Sequence, residues 1–372
     1  MNKIVKFCIL ILLIGTINAH SCWDRSSDDR CVYFNPNIIT ISSKKEDKPD
    51  WYENISNEKW EKILLKSNNS CFFDSPYWAE ITEKTWNYKN ATRLYYINGK
   101  EILIPMMEAN MYGFKILTSM PGNFDCGGLF SESTVTIDEF KSIIKDILGG
   151  RNLVLNINLS NKFLSKSIEK WKINDEFNYT HKLNLNGKNF DEIWKNSFHK
   201  NTRTAIRKAK KSGIEIKEGT SLDDLKTFYN IYDKASQKRD NVDPVLPYKF
   251  FENLYKYGSN HVKLTLATKD DEIIAGLITL SYSKNIYEAS NEFLREYSTY
   301  NAPSLLISES IRVATQEGYE HFDFGHSGKL TNLIKFKERF GAERVEINRY
   351  RINSNLSTIL SGIMSKVKIK VY

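Results

Sequence analysis

The chain has 372 residues, and the usual domain size of roughly 100–200 residues predicts two domains. Hydrophobic residues make up 41% and aromatic residues 13%, which excludes a largely disordered chain, and no run of about 20 apolar residues indicates a polytopic membrane protein. The net charge of +8 is concentrated in residues 195–220 and 329–372, where basic residues outnumber acidic ones by eight to two and ten to three. This distribution fits a polyanionic partner, such as a phosphorylated cofactor, tRNA or anionic lipid, and equally a solvated helix face.

Residues 1–19 are typical of a signal sequence or a membrane anchor. Lys3 and Lys6 come before the apolar run 7–14, and Ala19 is a small residue suited to cleavage. Residues 20–50 are polar and irregular and are interpreted as a linker. Four of the five cysteines follow residue 19, an even number that is compatible with export but too small for a disulfide scaffold. We expect the folded body on the cytoplasmic face, with membrane tethering or export through this segment as alternatives.

The folded body is predicted to begin at Trp51, with two helices whose aromatic residues Trp60 and Trp78 belong to a core. After them, the order of three strands, helix, strand, helix, strand occurs twice. The first copy comprises strands 93–97, 102–108 and 114–120, helix 137–148, strand 153–159, helix 162–171 and strand 181–185. The second comprises strands 262–268, 273–282 and 286–290, helix 303–317, strand 321–324, helix 331–340 and strand 345–351.

This repeated order predicts the α/β (α+β) class, with two similar domains that each have a mixed sheet covered by helices. The predicted domains span residues 51–187 and 188–351, joined near Asn186, and a basic tail follows over 352–372. The second copy is introduced by a basic helix over 201–212, which Gly213 ends, and by a helix over 222–236. A ligand groove is expected between the two domains.

Three stretches of the second copy carry a family resemblance: FHKNTRTAIRKA at 198–209, the helix and strand from Ser310 to the sequence GYEHFDFG at 318–325, and FKERFGAE at 336–343. In this order and spacing they resemble the FemAB-like branch of the GNAT acyltransferase superfamily. That branch includes the transferases that build peptidoglycan cross-bridges and the BioF2-like acetyltransferase domains. The resemblance covers about residues 51–351 and implies tandem GNAT-like domains that transfer an acyl or aminoacyl group to an amine.

The sequence departs from the family pattern in two places. His326 follows the Asp-Phe-Gly sequence where relatives often have arginine, and the pyrophosphate-binding loop of ordinary GNAT enzymes is absent. The resemblance therefore leaves acyl-CoA and aminoacyl-tRNA open as the donor substrate, and no covalently bound cofactor is expected. No CxxC or HxxxH spacing occurs, so we expect no structural metal.

Asp323 and Lys337 are the predicted catalytic residues. Lys337 follows Phe336 on an apolar helix, so its ammonium group can face a groove and bind a phosphate or a developing oxyanion. Asp323 ends a strand, where a carboxylate can orient an amine or accept its proton. A solvated lysine and a turn-forming aspartate are the structural alternatives. We expect substitution of either residue to leave the stability nearly unchanged.

The predicted substrate-binding residues line the same groove or lie on the basic helix. Arg203 and Arg207 are four residues apart on one helix face, which suits the phosphates of CoA, tRNA or a nucleotide-linked acceptor. The resemblance places Arg239 towards the acceptor. The full set is Lys200, Arg203, Arg207, Arg239, Glu288, Asn291 and Phe336.

The leading hypothesis is an N-acyltransferase or aminoacyltransferase that acts on an amine of a cell-envelope or nucleotide-linked precursor. Its partners are the acyl donor and the amine acceptor, with tRNA and a membrane surface as further candidates. A non-catalytic GNAT-like module that binds an anionic glycan or lipid is the alternative if the chain is exported. Nucleic-acid binding is a third reading, although no nucleic-acid-reading motif is recognised.

Overall fold

The computed structural model describes residues 50–52, 55–67, 70–111, 114–120, 127–148, 152–159, 179–237, 246–328 and 330–353. The predictions for the signal-like segment, for the linker up to residue 49, for the helix at 162–171, for Arg239 and for residues 354–372 lie outside the described residues.

The helices of the described residues are α1 (Asn57–Lys66), α2 (Pro76–Thr85), α3 (Ile137–Ile147), α4 (Lys200–Lys211), α5 (Leu222–Gln237), α6 (Tyr248–Tyr257), α7 (Ala302–Gln316) and α8 (Thr331–Glu338). A short helix, Phe190–Glu192, continues into a π-helical segment, Ile193–Ser197, before α4. The strands are β1 (Asp50–Tyr52), β2 (Lys89–Asn90), β3 (Arg93–Ile97), β4 (Lys100–Ile104), β5 (Met106–Met111), β6 (Phe114–Ser119), β7 (Asn152–Leu159), β8 (Tyr179–Asn184), β9 (Glu215–Gly219), β10 (Val262–Lys269), β11 (Glu272–Tyr282), β12 (Asn285–Phe293), β13 (His321–Asp323), β14 (Glu343–Glu346) and β15 (Asn348–Asn353).

Turn and cap residues place these elements where the sequence predicts them. The hairpin between β3 and β4 turns at Asn98 and Gly99, whose φ angles of 52° and 74° are the positive values that a tight hairpin turn requires. Gly213 has φ of 73° directly after α4, as expected of a glycine that ends a helix. Thr136 and Glu139 form a reciprocal capping box at the start of α3.

The strands form a seven-stranded sheet in the order β14-β8-β13-β12-β11-β10-β9, a five-stranded sheet in the order β15-β7-β6-β5-β2, and a three-stranded sheet in the order β1-β3-β4. β4 and β5 are consecutive and are separated by Pro105 alone, which has no N–H group to continue a ladder. The three-stranded and five-stranded sheets are therefore joined through consecutive strands. The prediction of mixed sheets with helices is confirmed.

The last strand of each predicted copy pairs in the other copy's sheet, which corrects the predicted strand order. β8, assigned to the end of the first copy, lies between β13 and β14 in the seven-stranded sheet. The predicted strand at 345–351 is divided at Ile347, and its second part, β15, pairs with β7 in the five-stranded sheet. The local pattern of a strand specifies its buried face and not its partner, so the sequence could not reveal this exchange. The boundary near Asn186 stays a prediction.

Helices cover both faces of the seven-stranded sheet. On one face, α4 and α7 pack over Leu277 and Phe322. On the other face, α5 and α6 pack with α1 and α2 in a core that contains Trp60 and Trp78, so the two halves of the chain share one core. The prediction that these tryptophans are core residues is confirmed, since they are only 1% and 3% exposed.

Cys71 is buried and disulfide-bonded. In the part of the chain that the structure describes, no helix is both long enough and apolar enough to cross a membrane.

Candidate active site

The parallel strands β12 and β13 separate at Asp323, one of the two predicted catalytic residues. They pair over three positions, the last of which is Tyr287 with Asp323, and β13 ends there while β12 continues to Phe293. A β-bulge at Ala289 also shifts the register between β12 and β11. Bulges re-aim side chains and are frequent next to active sites. The residues at this divergence that we call the β12/β13 site are Glu288, Ser290, Asn291, Asp323 and Lys337.

Lys337 is buried, with 3% of its surface exposed, and its ammonium group holds the loop after β13. Its Nζ donates hydrogen bonds to the carbonyl oxygens of Gly325, at 3.0 Å, and His326, at 2.6 Å. Burial lowers the pKa of Lys337 to about 8, although the nearby carboxylates of Glu288 and Asp323 favour the charged form. The group is therefore a mostly protonated, poorly solvated cation near neutral pH.

Asp323 is held by short contacts at the end of β13. One carboxylate oxygen, Oδ1, accepts hydrogen bonds from the Thr180 hydroxyl at 2.5 Å and from the Gly325 N–H at 2.8 Å. The other oxygen, Oδ2, lies 3.6 Å from Nζ of Lys182. The bond to Gly325 is the turn-forming contact of the structural alternative, and it fixes one of the two loop residues whose carbonyl oxygens Lys337 binds.

Glu288 and Asn291 lie on β12 on either side of Ser290. The Asn291 side chain hydrogen-bonds the Glu288 carboxylate. Among the described residues, however, Glu288 Oε2, Ser290 Oγ and Asn291 Oδ1 are buried without a hydrogen-bond partner. Burial raises the pKa of Glu288 to about 7, against the effects of Lys337 and of the Asn291 hydrogen bond, which lower it. Unsatisfied buried polar atoms are rare in folded proteins, so three of them within four residues make this stretch a candidate ligand site.

Sequence reasoning missed the contribution of β8. Thr180 and Lys182 contact Asp323, and between them His181 lies buried with Nδ1 3.5 Å from the Ser327 hydroxyl. Burial, and next the charge of Lys337, lower the pKa of His181, so its imidazole is neutral at pH 7. No local signal identifies these residues, because their position depends on the strand exchange.

The basic helix α4 does not present its two arginines in the same way. Arg203 Nη1 donates to the carbonyl oxygens of Trp194, Lys195 and Phe198, at 3.2, 3.1 and 2.5 Å, and so closes the preceding π-helical segment. Arg207 is exposed and lies over the Trp194 ring at 5.5 Å. Lys200 is exposed at the start of α4. A phosphate-binding role for the three residues stays a prediction.

Two predicted substrate-binding residues remain, Phe336 and Arg239. Phe336 is half-buried and packs edge-on against Phe340, which supports the helix that carries Lys337. Arg239 lies outside the described residues. Within the described ranges, no group of three or more His, Cys, Asp and Glu side chains is arranged to hold a metal ion.

A cavity of about 720 Å³ lies elsewhere, beside α7 and strands β9 to β11, and Glu288, Asp323 and Lys337 do not line it. Its cations have acidic partners: Lys217 with Asp224, Lys263 with Glu218, and Arg312 with Glu309. The β12/β13 site is therefore the stronger candidate for the chemistry, because polar atoms lack partners there and the cations that line the cavity are already paired.

A family model described as "Acetyltransferase (GNAT) domain" matches residues 196–338. No curated protein matches the chain significantly by sequence. The matched stretch includes α4, the β12/β13 site and α8.

The fold is similar to that of several solved structures. FemX superposes with a TM-score of 0.67 at 12% identity, over 85% of this chain and 99% of FemX. The C-terminal domain of a putative lysylphosphatidylglycerol synthetase from Agrobacterium fabrum superposes with a TM-score of 0.53 at 12% identity, over 83% of this chain and 95% of that domain. A protein of unknown function from Bacteroides thetaiotaomicron gives a TM-score of 0.54 at 9% identity, over 80% and 97% of the two chains. At these identities the likeness shows a shared fold.

Proposed function

We propose that the chain, whose residues 196–338 match a GNAT acetyltransferase domain and whose fold is similar to that of FemX, transfers an acyl or aminoacyl group to an amine of a cell-envelope or nucleotide-linked precursor. The observation that carries the proposal is the buried Lys337 ammonium group, whose charge acts on a Glu288 carboxylate that has an unpartnered oxygen, where two parallel strands separate. A cation and a hydrogen-bond acceptor together match the two needs of acyl transfer to nitrogen.

Lys337 supplies the positive charge for the acyl oxygen. Negative charge develops on that oxygen when an amine attacks the acyl carbon, and fixed donors in a dry site stabilise it strongly. Two of the three ammonium protons are donated to Gly325 and His326, which fixes the group in place. The third proton is then available to the acyl oxygen.

The donor is proposed to be an acyl-CoA, which GNAT domains generally use, or an aminoacyl-tRNA. The exposed cations Lys200 and Arg207 on α4 would attract the phosphates of either donor. We place this activity at the cytoplasmic face, because both donors are cytosolic.

The test is acyl transfer by the purified full chain. Labelled acetyl-CoA, or a pool of charged tRNA, is incubated with a nucleotide-linked peptide that has a free amine, and label on the peptide is measured. We expect transfer by the wild type and by Lys335→Met, a control on the exposed side of α8, and loss of transfer in Lys337→Met. Absence of transfer from both donors would contradict the proposal.

The disulfide at Cys71 favours a second candidate. Disulfides persist in oxidising compartments, where acyl-CoA and charged tRNA are absent. An exported chain would then be a GNAT-like module that binds an anionic glycan or lipid without catalysis. Binding to phosphatidylglycerol vesicles that is unchanged in Lys337→Met, together with no transfer in the assay above, would support this candidate.

A further inference from the structure

A serine and a histidine that the proposed mechanism does not use lie buried in the region of the Lys337 ammonium group. Ser327 is 6% exposed and His181 is 2% exposed, and Nδ1 of His181 lies 3.5 Å from the Ser327 hydroxyl oxygen. The two residues are 146 positions apart in the sequence and come together because β8 pairs with β13. A hydroxyl group within hydrogen-bond reach of an imidazole is the arrangement of an activated serine nucleophile.

The loop after β13 holds Ser327 in one position. Nζ of Lys337 donates to the carbonyl oxygen of His326, the residue directly before Ser327, at 2.6 Å. The His326 ring donates from Nδ1 to the Tyr179 carbonyl oxygen at 2.7 Å, and the Ser327 carbonyl oxygen accepts from the Leu330 N–H at 3.0 Å. A nucleophile that is fixed in this way loses little conformational freedom when the donor binds.

His181 is in the protonation state that a base requires. Burial, and next the charge of Lys337, lower its pKa; Arg344 also lowers it, and Glu338 opposes these effects. The imidazole is therefore neutral at pH 7. Among the described residues its second nitrogen, Nε2, is buried without a hydrogen-bond partner. When Nδ1 accepts the hydroxyl proton of Ser327, Nε2 carries the ring hydrogen, and an oxygen atom of a bound substrate would supply the acceptor that it lacks.

We propose that Ser327 is a nucleophile of the transfer reaction, that His181 is its base, and that the acyl group passes through an ester on Ser327. This inference rests on the proposed function and adds a covalent intermediate with two catalytic residues. The Lys337 ammonium group keeps its role, because negative charge develops on the acyl oxygen in both halves of such a reaction.

Both halves of the reaction balance. In the first, Nδ1 of His181 takes the hydroxyl proton, Oγ of Ser327 forms a C–O bond to the acyl carbon, and the C–S bond of a thioester or the C–O bond of an ester breaks. The leaving group keeps the electron pair and receives the proton from Nδ1. In the second, a neutral amine attacks the ester carbon, the C–N bond forms, and the C–Oγ bond breaks. One proton of the amine passes through Nδ1 back to Oγ.

The experiment omits the acceptor, because only a covalent route releases the leaving group without it. The full-length wild type is mixed with labelled acetyl-CoA, or with charged tRNA if that is its donor, and is quenched with acid at successive times. We expect a rapid release of about one leaving group per protein molecule, followed by slow hydrolysis. Mass spectrometry of the digested protein should locate the acyl group on the peptide that contains Ser327.

Three variants separate catalysis from structure. Ser327→Ala should abolish the rapid release and the label, and should lower transfer to the amine about 10²-fold, because Lys337 still supports direct attack on the donor. His181→Gln should slow the rapid release by a similar factor. Ser308→Ala removes another buried serine hydroxyl, on α7, and should leave the release and the label unchanged. Circular dichroism and the melting temperature check the folding of each variant.

Ser327→Cys keeps a nucleophile of similar size at the same position. The acyl group should then form a thioester, which neutral hydroxylamine releases, whereas the oxygen ester of the wild type resists the same treatment. A serine with a merely structural role would give neither adduct, so this variant tests the nucleophile even if Ser327→Ala does not fold.

The outcomes distinguish the inference from the proposed function. Wild-type transfer without rapid release, with label on another residue, or with a rate that Ser327→Ala leaves intact would overturn the inference and leave the acyltransferase function standing. Label on Ser327 without transfer to any amine would support the nucleophile and contradict the proposed function. Neither label nor transfer with either donor would overturn both.

Discussion

The three-stranded and seven-stranded sheets differ in whether their buried polar groups have hydrogen-bond partners. At β3, the Asp146 carboxylate on α3 accepts hydrogen bonds from Arg93, at 3.2 Å, and from the Tyr95 hydroxyl, at 2.9 Å, so the buried charges pair with each other. At the β12/β13 site, Glu288 and Asn291 keep buried oxygens without partners. A network in which buried charges pair with each other stabilises a fold, whereas buried carboxylate and amide oxygens without partners are available to a ligand. The comparison supports the proposal that catalysis takes place in the second half of the chain.

The largest expected effect is that of Lys337→Met on transfer. Loss of the cation at the acyl oxygen should lower kcat by about 10²–10³-fold, as loss of a single oxyanion donor does. The melting temperature checks the accompanying stability change. The sequence predicts an unchanged stability for substitution of Lys337. Because the buried ammonium group donates hydrogen bonds to two carbonyl oxygens, we instead expect the free energy of unfolding to fall by about 1–3 kcal/mol, partly offset because a buried charge is removed. Full activity in this variant would contradict the proposal that catalysis takes place at the β12/β13 site.

For Asp146→Asn we expect the opposite result, a loss of stability without a loss of transfer. Removal of one partner from this largely buried pair should lower the free energy of unfolding by about 3 kcal/mol, measured by urea denaturation. Transfer per folded molecule should stay at the wild-type value, because the network is not part of the β12/β13 site. A fall in kcat at unchanged folded fraction would contradict the assignment of catalysis to the second half.

A smaller difference in stability is expected between the variants Arg203→Ala and Arg207→Ala. Arg203→Ala leaves three carbonyl oxygens without their donor and should destabilise the protein by about 1–3 kcal/mol. Arg207→Ala removes only an exposed contact with Trp194 and should cost about 0.5–1 kcal/mol. Paired melting curves check this difference, and equal shifts would show that the Arg203 contacts do not stabilise α4.

A pH-dependent stability difference is expected for Glu288→Gln. The folded pKa of about 7 lies above the ordinary value, so the folded protein binds more protons than the unfolded chain between about pH 4.5 and 7. The stability that Glu288 provides is therefore present below pH 4.5 and is lost as the pH rises to 7. Relative to the wild type, Glu288→Gln should gain about 1–3 kcal/mol between pH 4 and pH 8. Urea denaturation at the two values measures it, and a constant difference would mean that burial does not perturb this carboxyl group.

Much of the site follows from local sequence, and the rest depends on pairing between distant strands. The Asn98-Gly99 hairpin and the end of α4 at Gly213 are specified by residues with positive φ, and the sequence contains those signals. The sequence predicts three of the site residues from their positions on predicted elements: Glu288, Asp323 and Lys337. In the structure they lie where β12 and β13 separate. Thr180 and Lys182 could not be predicted in this way, because the alternation of buried and exposed residues along a strand does not specify which strand pairs with it.

Photocrosslinking of the acyl donor tests the central claim most directly. A donor analogue with a photoreactive acyl group is irradiated with the full chain, and the labelled peptides are identified by mass spectrometry. Our account predicts label on the peptides that contain residues 288–291 or 325–337, and its loss in competition with the unmodified donor. Label confined to α4, or to the cavity beside α7 that Lys217 and Arg312 line, would contradict it.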